Sequence, residues 1–118
     1  MTRHDDTVAL RHMLDYSKTA QRLIAGRSCQ DLDTDEMLQL ALARAVEVIG
    51  EAAARVPSAI RQIHPEITWT QIISARNRLI HGYDMVNLDI LWHIVTSDLP
   101  LLIQQLEAIL VGPSKNES

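Results

Sequence analysis

Apolar residues recur along this chain at helical spacing. Between Asp5 or Asp6 and Ala25, Leu10, Met13, Leu14, Ala20 and Ile24 fill one side of a helix, while Arg11, Asp15, Lys18 and Arg22 form a polar stripe on the other. Gly26 is its natural stop. A second helix is announced by DLDTDEMLQL, with Asp33 as N-cap and Glu36 three residues later in a capping-box arrangement. It runs to Pro57 with Leu38, Leu42, Ala45, Ile49, Ala52 and Val56 on one stripe. Its outer positions hold Arg44, Glu47, Glu51 and Arg55, and Glu51 and Arg55 stand at the four-residue spacing that favours an ion pair. The segment PSAIRQIHPEI reads as a short helical turn between prolines. A third main helix starts in TWTQIISARNRLIH, capped by Thr68 with Gln71 completing a box, and ends at Gly82. Asn87 caps the last long segment, where Leu88, Leu91, Val95, Leu102, Leu106 and Ile109 repeat at near-heptad spacing. Pro100 would cost about 3 kcal/mol inside a straight helix, which predicts a kink there or a fresh start capped by Ser97 or Asp98. No period-two run is long enough to suggest a strand. The expected fold is all-α: an up-and-down bundle of four main helices plus a short extra one, the last helix kinked near Pro100.

Composition supports that picture. A chain of 118 residues makes one domain, here 1–111, followed by a flexible tail over 112–118. Aromatic residues are only 3% with no Phe, so the core must be built from Leu, Ile, Val, Ala and Met, a palette that favours helices. The single Cys29 permits neither an internal disulfide nor a thiol pair for zinc. No apolar signal core opens the sequence and no segment reads as long enough to span a membrane, which places the protein in the cytoplasm. The net charge of -4 argues against a general nucleic-acid coat, but residues 55–81 sum to +3, through Arg55, Arg61, Arg76 and Arg78 against Glu66. An anion would therefore be met locally, around those arginines.

The polar cluster ISARNRLIHGYDM, residues 73–85, lies in that stretch. On an ideal wheel Arg76 falls amid Trp69, Ile72, Ile73, Leu79 and Ile80, with Ser74, Asn77, Arg78 and His81 opposite. A guanidinium on an apolar stripe needs a carboxylate, an anionic ligand or a second subunit. An interior salt bridge to Glu47 or Glu51 and an active role fit that position equally well. Taken alone, Arg78 reads as a solvated charge, and His81 as a residue at a helix C-terminus, where the dipole favours its cation. The chain carries no Gly-rich phosphate loop, zinc helix or serine elbow. Asp89 and His93 share a face, but two possible ligands do not make a metal site. Arginine with histidine suits metal-free attack on phosphodiesters: the imidazole moves a proton and the guanidinium holds charge building on phosphorus. On a straight helix Arg76 and His81 diverge by about 140°. Catalysis by both would therefore require a cleft shared by two copies of the chain, a homodimer.

Arg76, Asn77, His81 and Tyr83 spell R-N-x-x-x-H-x-Y at the end of the third helix of a small helical chain. This pattern, with RAVEVIGEAAARV and the long last helix, closely resembles the HEPN superfamily, and within it the HepT-like toxins encoded beside MntA-like nucleotidyltransferases. The resemblance implies the toxin of a type VII toxin-antitoxin system, a homodimeric endoribonuclease needing neither metal nor cofactor. Arg76 and His81 would be its catalytic pair, Asn77 and Arg78 supporting RNA contacts, and Tyr83 the hydroxyl to which the MntA-like antitoxin attaches AMP. The competing expectation is a non-catalytic helical partner that binds a nucleotide or nucleotidyltransferase, with Arg76 in a structural salt bridge.

Overall fold

The computed structural model describes residues 3–81 and 85–111, with side chains for 7–80 and 86–111. The expected tail over 112–118 lies outside them. Four helical runs form the bundle. Helix α1, Arg3–Leu23, packs on α3, Glu36–Arg55, and on the C-terminal helix. Leu10, Met13 and Ala20 of α1 are buried, as are all six residues of the predicted second stripe, five in α3 and Val56 at its C-cap. Ser17 is buried among them and is satisfied by donating to the Met13 carbonyl at 2.7 Å. The chain leaves α1 through Gly26, whose φ of 75° suits a residue without Cβ.

The start of α3 differs from expectation. Residues Cys29–Thr34 form a helix of their own, α2, with a capping box in which Ser28 Oγ accepts from Asp31 N–H and Asp31 accepts from Ser28 N–H. Asp33 is spent inside α2, and Asp35 caps α3 instead, accepting from Leu38 N–H at 3.1 Å and pairing with Arg27 at 3.1 Å. The bundle thus carries two short extra helices, α2 and the expected one, α4, Ser58–Ile63.

The third main helix is two pieces, α5, Trp69–Ile73, and α6, Ala75–Leu79. Thr68 stands at its start without a side-chain cap. Trp69 anchors α5 instead: the ring is buried and Nε1 donates to the His64 carbonyl at 3.0 Å. Ser74 breaks the run at φ -94° and ψ 7°, its hydroxyl donating back to Thr70 O at 2.8 Å. The break lies against Gly50 of α3, where an added Cβ would sit 3.0 Å from Ile72 O and 3.4 Å from Ile73 O. After Leu79 the backbone turns extended. Ile80–His81, β1, pairs antiparallel with Met85–Val86, β2, in the register Ile80 to Val86 and His81 to Met85. The helix therefore stops three residues before Gly82, and a two-residue ladder appears where no strand was foreseen.

Asn87 caps the last run as predicted, accepting from Ile90 N–H at 3.1 Å. The run passes Pro100 without a fresh start. Helix α7, Leu88–His93, joins α8, Leu99–Val111, through a π-helical turn over Ile94–Asp98. Proline has no N–H to give and its ring crowds the carbonyl four residues back. The π turn slips the register by one, so that Leu99 N–H bonds to Ile94 O, five residues back. The carbonyl then facing the missing Pro100 donor is that of Val95, and Gln21 Nε2 of α1 supplies a bond to it at 2.6 Å. Joined this way, Leu88–Val111 is a 24-residue helix long and apolar enough by composition to cross a membrane, contrary to expectation. Leu91, Val95, Leu102 and Leu106 of this helix are buried in the bundle core.

Candidate active site

Arg76 is not the buried arginine that an ideal wheel predicts. With the helix restarted at Ser74, Ala75 and Leu79 become the buried residues of α6, and Arg76, Asn77 and Arg78 are exposed. Arg76 Nε lies 2.8 Å from Glu47 Oε2 of α3, with the arginine side chain 61% exposed and the glutamate 28%. Of the two expected partners, Glu47 and Glu51, it is Glu47 that meets the arginine, and the pair sits at the surface and not in the interior.

Glu47 serves a second cation. Arg44 Nη1 donates to its other oxygen, Oε1, at 2.8 Å, and Arg44 also approaches Glu51 at 3.9 Å. Arg44 thus takes the role expected of Arg55 toward Glu51. The hydrogen bond from Arg44, then the charges of Arg44 and Arg76, hold the Glu47 carboxyl below its ordinary value against the opposing effect of burial. From the sequence Arg44 reads only as an outer position of the second main helix. Its spacing to Glu47 and Glu51, three and seven residues, was the signal that the three share a face.

Arg78 points elsewhere. Its Nη2 lies 3.8 Å from Asp98 Oδ2 at the end of the π turn, and the other oxygen of Asp98 lies 3.8 Å from His93 Nε2. His93 therefore faces Asp98, not Asp89 as a metal pairing would require. Arg78 and Asp98 border a groove of about 170 Å³ with apolar walls that include Val46, Ile49, Ile72 and Leu102. Such walls do not suit a phosphate chain, so α6 divides a charged side, facing Glu47 and Arg44, from an apolar one.

His81 belongs to β1 and not to a helix end, which removes the helix-dipole argument for its proton affinity and the wheel argument for its direction. The His81 side chain and Tyr83 lie outside the described residues. What the described residues bring together is Arg76, Glu47 and Arg44: two exposed guanidiniums on one carboxylate, five residues before His81 in the chain.

The family model described as ribonuclease HepT-like matches residues 13–109. The chain is 38% identical over 80 residues to "Probable ribonuclease HepT" of Thermococcus cleftensis, covering 68% of this chain and 73% of that one. It is 34% identical over 101 residues to a provisionally named RNase of Caldanaerobacter subterraneus subsp. tengcongensis, covering 86% and 90%. No solved structure matches.

Proposed function

The chain belongs to the HepT-like ribonuclease family, and from that premise we propose that it is a metal-independent endoribonuclease working through Arg76 and His81. The observation that carries the reading is the position of Arg76. It is exposed, always charged and held through Nε, which leaves the outer guanidinium nitrogens for a phosphate. In the proposed step His81 takes the proton from the RNA 2′-hydroxyl, and the 2′-oxygen attacks phosphorus. A 2′,3′-cyclic phosphate forms as the P–O5′ bond breaks, and the leaving 5′-oxygen takes a proton from solvent water, His81 later returning its own proton to solvent. Arg76 stabilises the added negative charge on the non-bridging oxygens. Asn77, exposed beside Arg76 on α6, is proposed as an RNA contact at that position, and Arg78, which faces Asp98 on the other side of the helix, as a contact farther along the strand.

The cleft is proposed to form between two copies of the chain. Met37, Leu40, Arg44 and Glu47 succeed one another at spacings of three, four and three along one stripe of α3, and Met37 and Leu40 are 81% and 66% exposed. Large apolar side chains bared beside a charged cluster suit a two-fold contact that would bring two arginine sites together. The wider setting we propose is cytoplasmic: the toxin of a type VII toxin-antitoxin system, silenced when an MntA-like nucleotidyltransferase attaches AMP to Tyr83. Each AMP would add bulk and negative charge two residues from His81, opposing RNA by sterics and repulsion. Incubation with ATP, magnesium and the neighbouring gene's nucleotidyltransferase, followed by mass spectrometric mapping, tests the assignment. AMP on Tyr83 supports it. An unmodified Tyr83 beside a modified Tyr16 overturns it.

A further inference from the structure

Glu47 is an odd neighbour for a phosphate-binding arginine, since a carboxylate repels the anion that the arginine is to hold. Three features resolve the conflict. Arg76 meets Glu47 at Nε, 2.8 Å from Oε2, and this ion pair holds the base of the guanidinium against α3 while the Nη groups lie beyond it. Arg44 donates to the opposite oxygen of the same carboxylate at 2.8 Å, so the negative charge of Glu47 is met from both sides. Glu47 is the most covered of the three, at 28% exposure against 61% and 62% for the arginines, so an approaching phosphate reaches the cations first.

The pair has little to do for stability. Ion pairs this exposed contribute little to stability, because solvent screens them and ordering two long side chains offsets the attraction. The docking of the third helix on α3 is already made by the approach of Ile72 and Ile73 to Gly50 and by buried Ala75 and Leu79. A free arginine, by contrast, carries much rotamer entropy, and restraining it before the substrate arrives removes part of that cost from the reaction. We infer that Glu47 is a positioning residue that aims Arg76 at the RNA phosphate, with Arg44 neutralising Glu47 toward the substrate. The inference rests on the catalytic reading of Arg76.

Steady-state cleavage of a short fluorogenic RNA oligonucleotide, with melting curves for every variant, tests it. Glu47→Ala is expected to lower kcat on the order of 10²-fold, the scale for a misaimed catalytic group. KM should change little and the melting temperature by only a few degrees. Glu47→Asp, which keeps the charge, should recover part of the rate, and isosteric Glu47→Gln should fall between. Combined with Arg76→Ala, Glu47→Ala should cost nothing further, because the two act as one unit. If Arg76→Ala itself cleaves like the parent chain, the catalytic reading of Arg76 fails, and this inference with it. If Arg76→Ala is inactive while Glu47→Ala keeps the parental kcat, the positioning role alone is overturned. A fall in melting temperature of more than ten degrees in both Glu47→Ala and Glu47→Gln would make Glu47 a structural residue and overturn it equally.

Discussion

Replacing Gly50 by alanine sets two known effects against each other at the contact that seats α5 and α6. Gly50 lies inside α3, where alanine is better by about 1 kcal/mol through helix propensity alone. The new Cβ, however, would stand 3.0 Å from Ile72 O and 3.4 Å from Ile73 O. Both obstacles are backbone carbonyls, which cannot swing aside as a side chain would. Relief requires the end of α5 to move a few tenths of an ångström off α3. Overpacking of this kind costs about 1–3 kcal/mol. The steric effect should win, leaving a net loss of about 1 kcal/mol, or a fall in melting temperature of about 3–6 °C for a chain of this size. Gly50→Val, with two further methyl groups and a β-branched side chain, should lose more. Thermal melts followed by circular dichroism at 222 nm are sufficient. A Gly50→Ala protein that melts higher than the parent would show that only propensity is felt, and that α5 does not approach α3 as closely as described.

Two further outcomes follow from the charged face. Arg76→Ala should cost at most about 1 kcal/mol in stability, since it removes one exposed ion pair. Leu42→Ala, at a fully buried position of α3, should cost about 2–5 kcal/mol, so the ordering of the two melts is the check. The second concerns pH. Glu47 is held low by Arg44 and then Arg76, and Asp35 by the Leu38 N–H and then Arg27. Carboxyls with lowered folded values contribute stability that is complete above the ordinary carboxylate range and lost as pH falls through the lowered values. The small melting advantage of the parent chain over Glu47→Gln at neutral pH should therefore shrink toward zero in acid. An advantage undiminished at pH about 3 would contradict the electrostatic account.

The bundle was legible because burial periodicity is a property of the sequence itself. The six residues of the predicted second stripe, five in α3 and Val56 at its C-cap, are all buried, and Asn87 caps where its spacing to Ile90 allows. The failures have two physical causes, competition between neighbouring local signals and contacts with distant parts of the chain. Ser28–Asp31 and Asp35 both offered caps within a few residues of Asp33, and the chain used both, leaving Asp33 inside α2. At Ser74 the back-bond to Thr70 and the closeness of α3 outweighed a helical pattern that continued on paper, and every angular inference beyond that point shifted. Arg76 moved from stripe to surface for that reason, and His81 from helix to ladder. Pro100 was recognised as a problem, but its solution, a π turn with Gln21 of α1 serving the Val95 carbonyl, depends on a contact across 74 residues that no local window contains. The motif R-N-x-x-x-H-x-Y was visible throughout. The partner that seats its arginine was named among two candidates, and only the fold selects Glu47 and adds Arg44.

The central claim is that this chain cuts RNA with its own histidine and arginine. Purified protein and its His81→Ala variant, with matching melts, would be incubated with RNA in the presence of a chelator, and the products followed on a denaturing gel with identification of the 3′ ends. The account predicts cleavage by the parent chain with 2′,3′-cyclic phosphate ends, and a loss of about 10²–10⁴-fold in the variant. RNA cleavage by His81→Ala at the parental rate would contradict it.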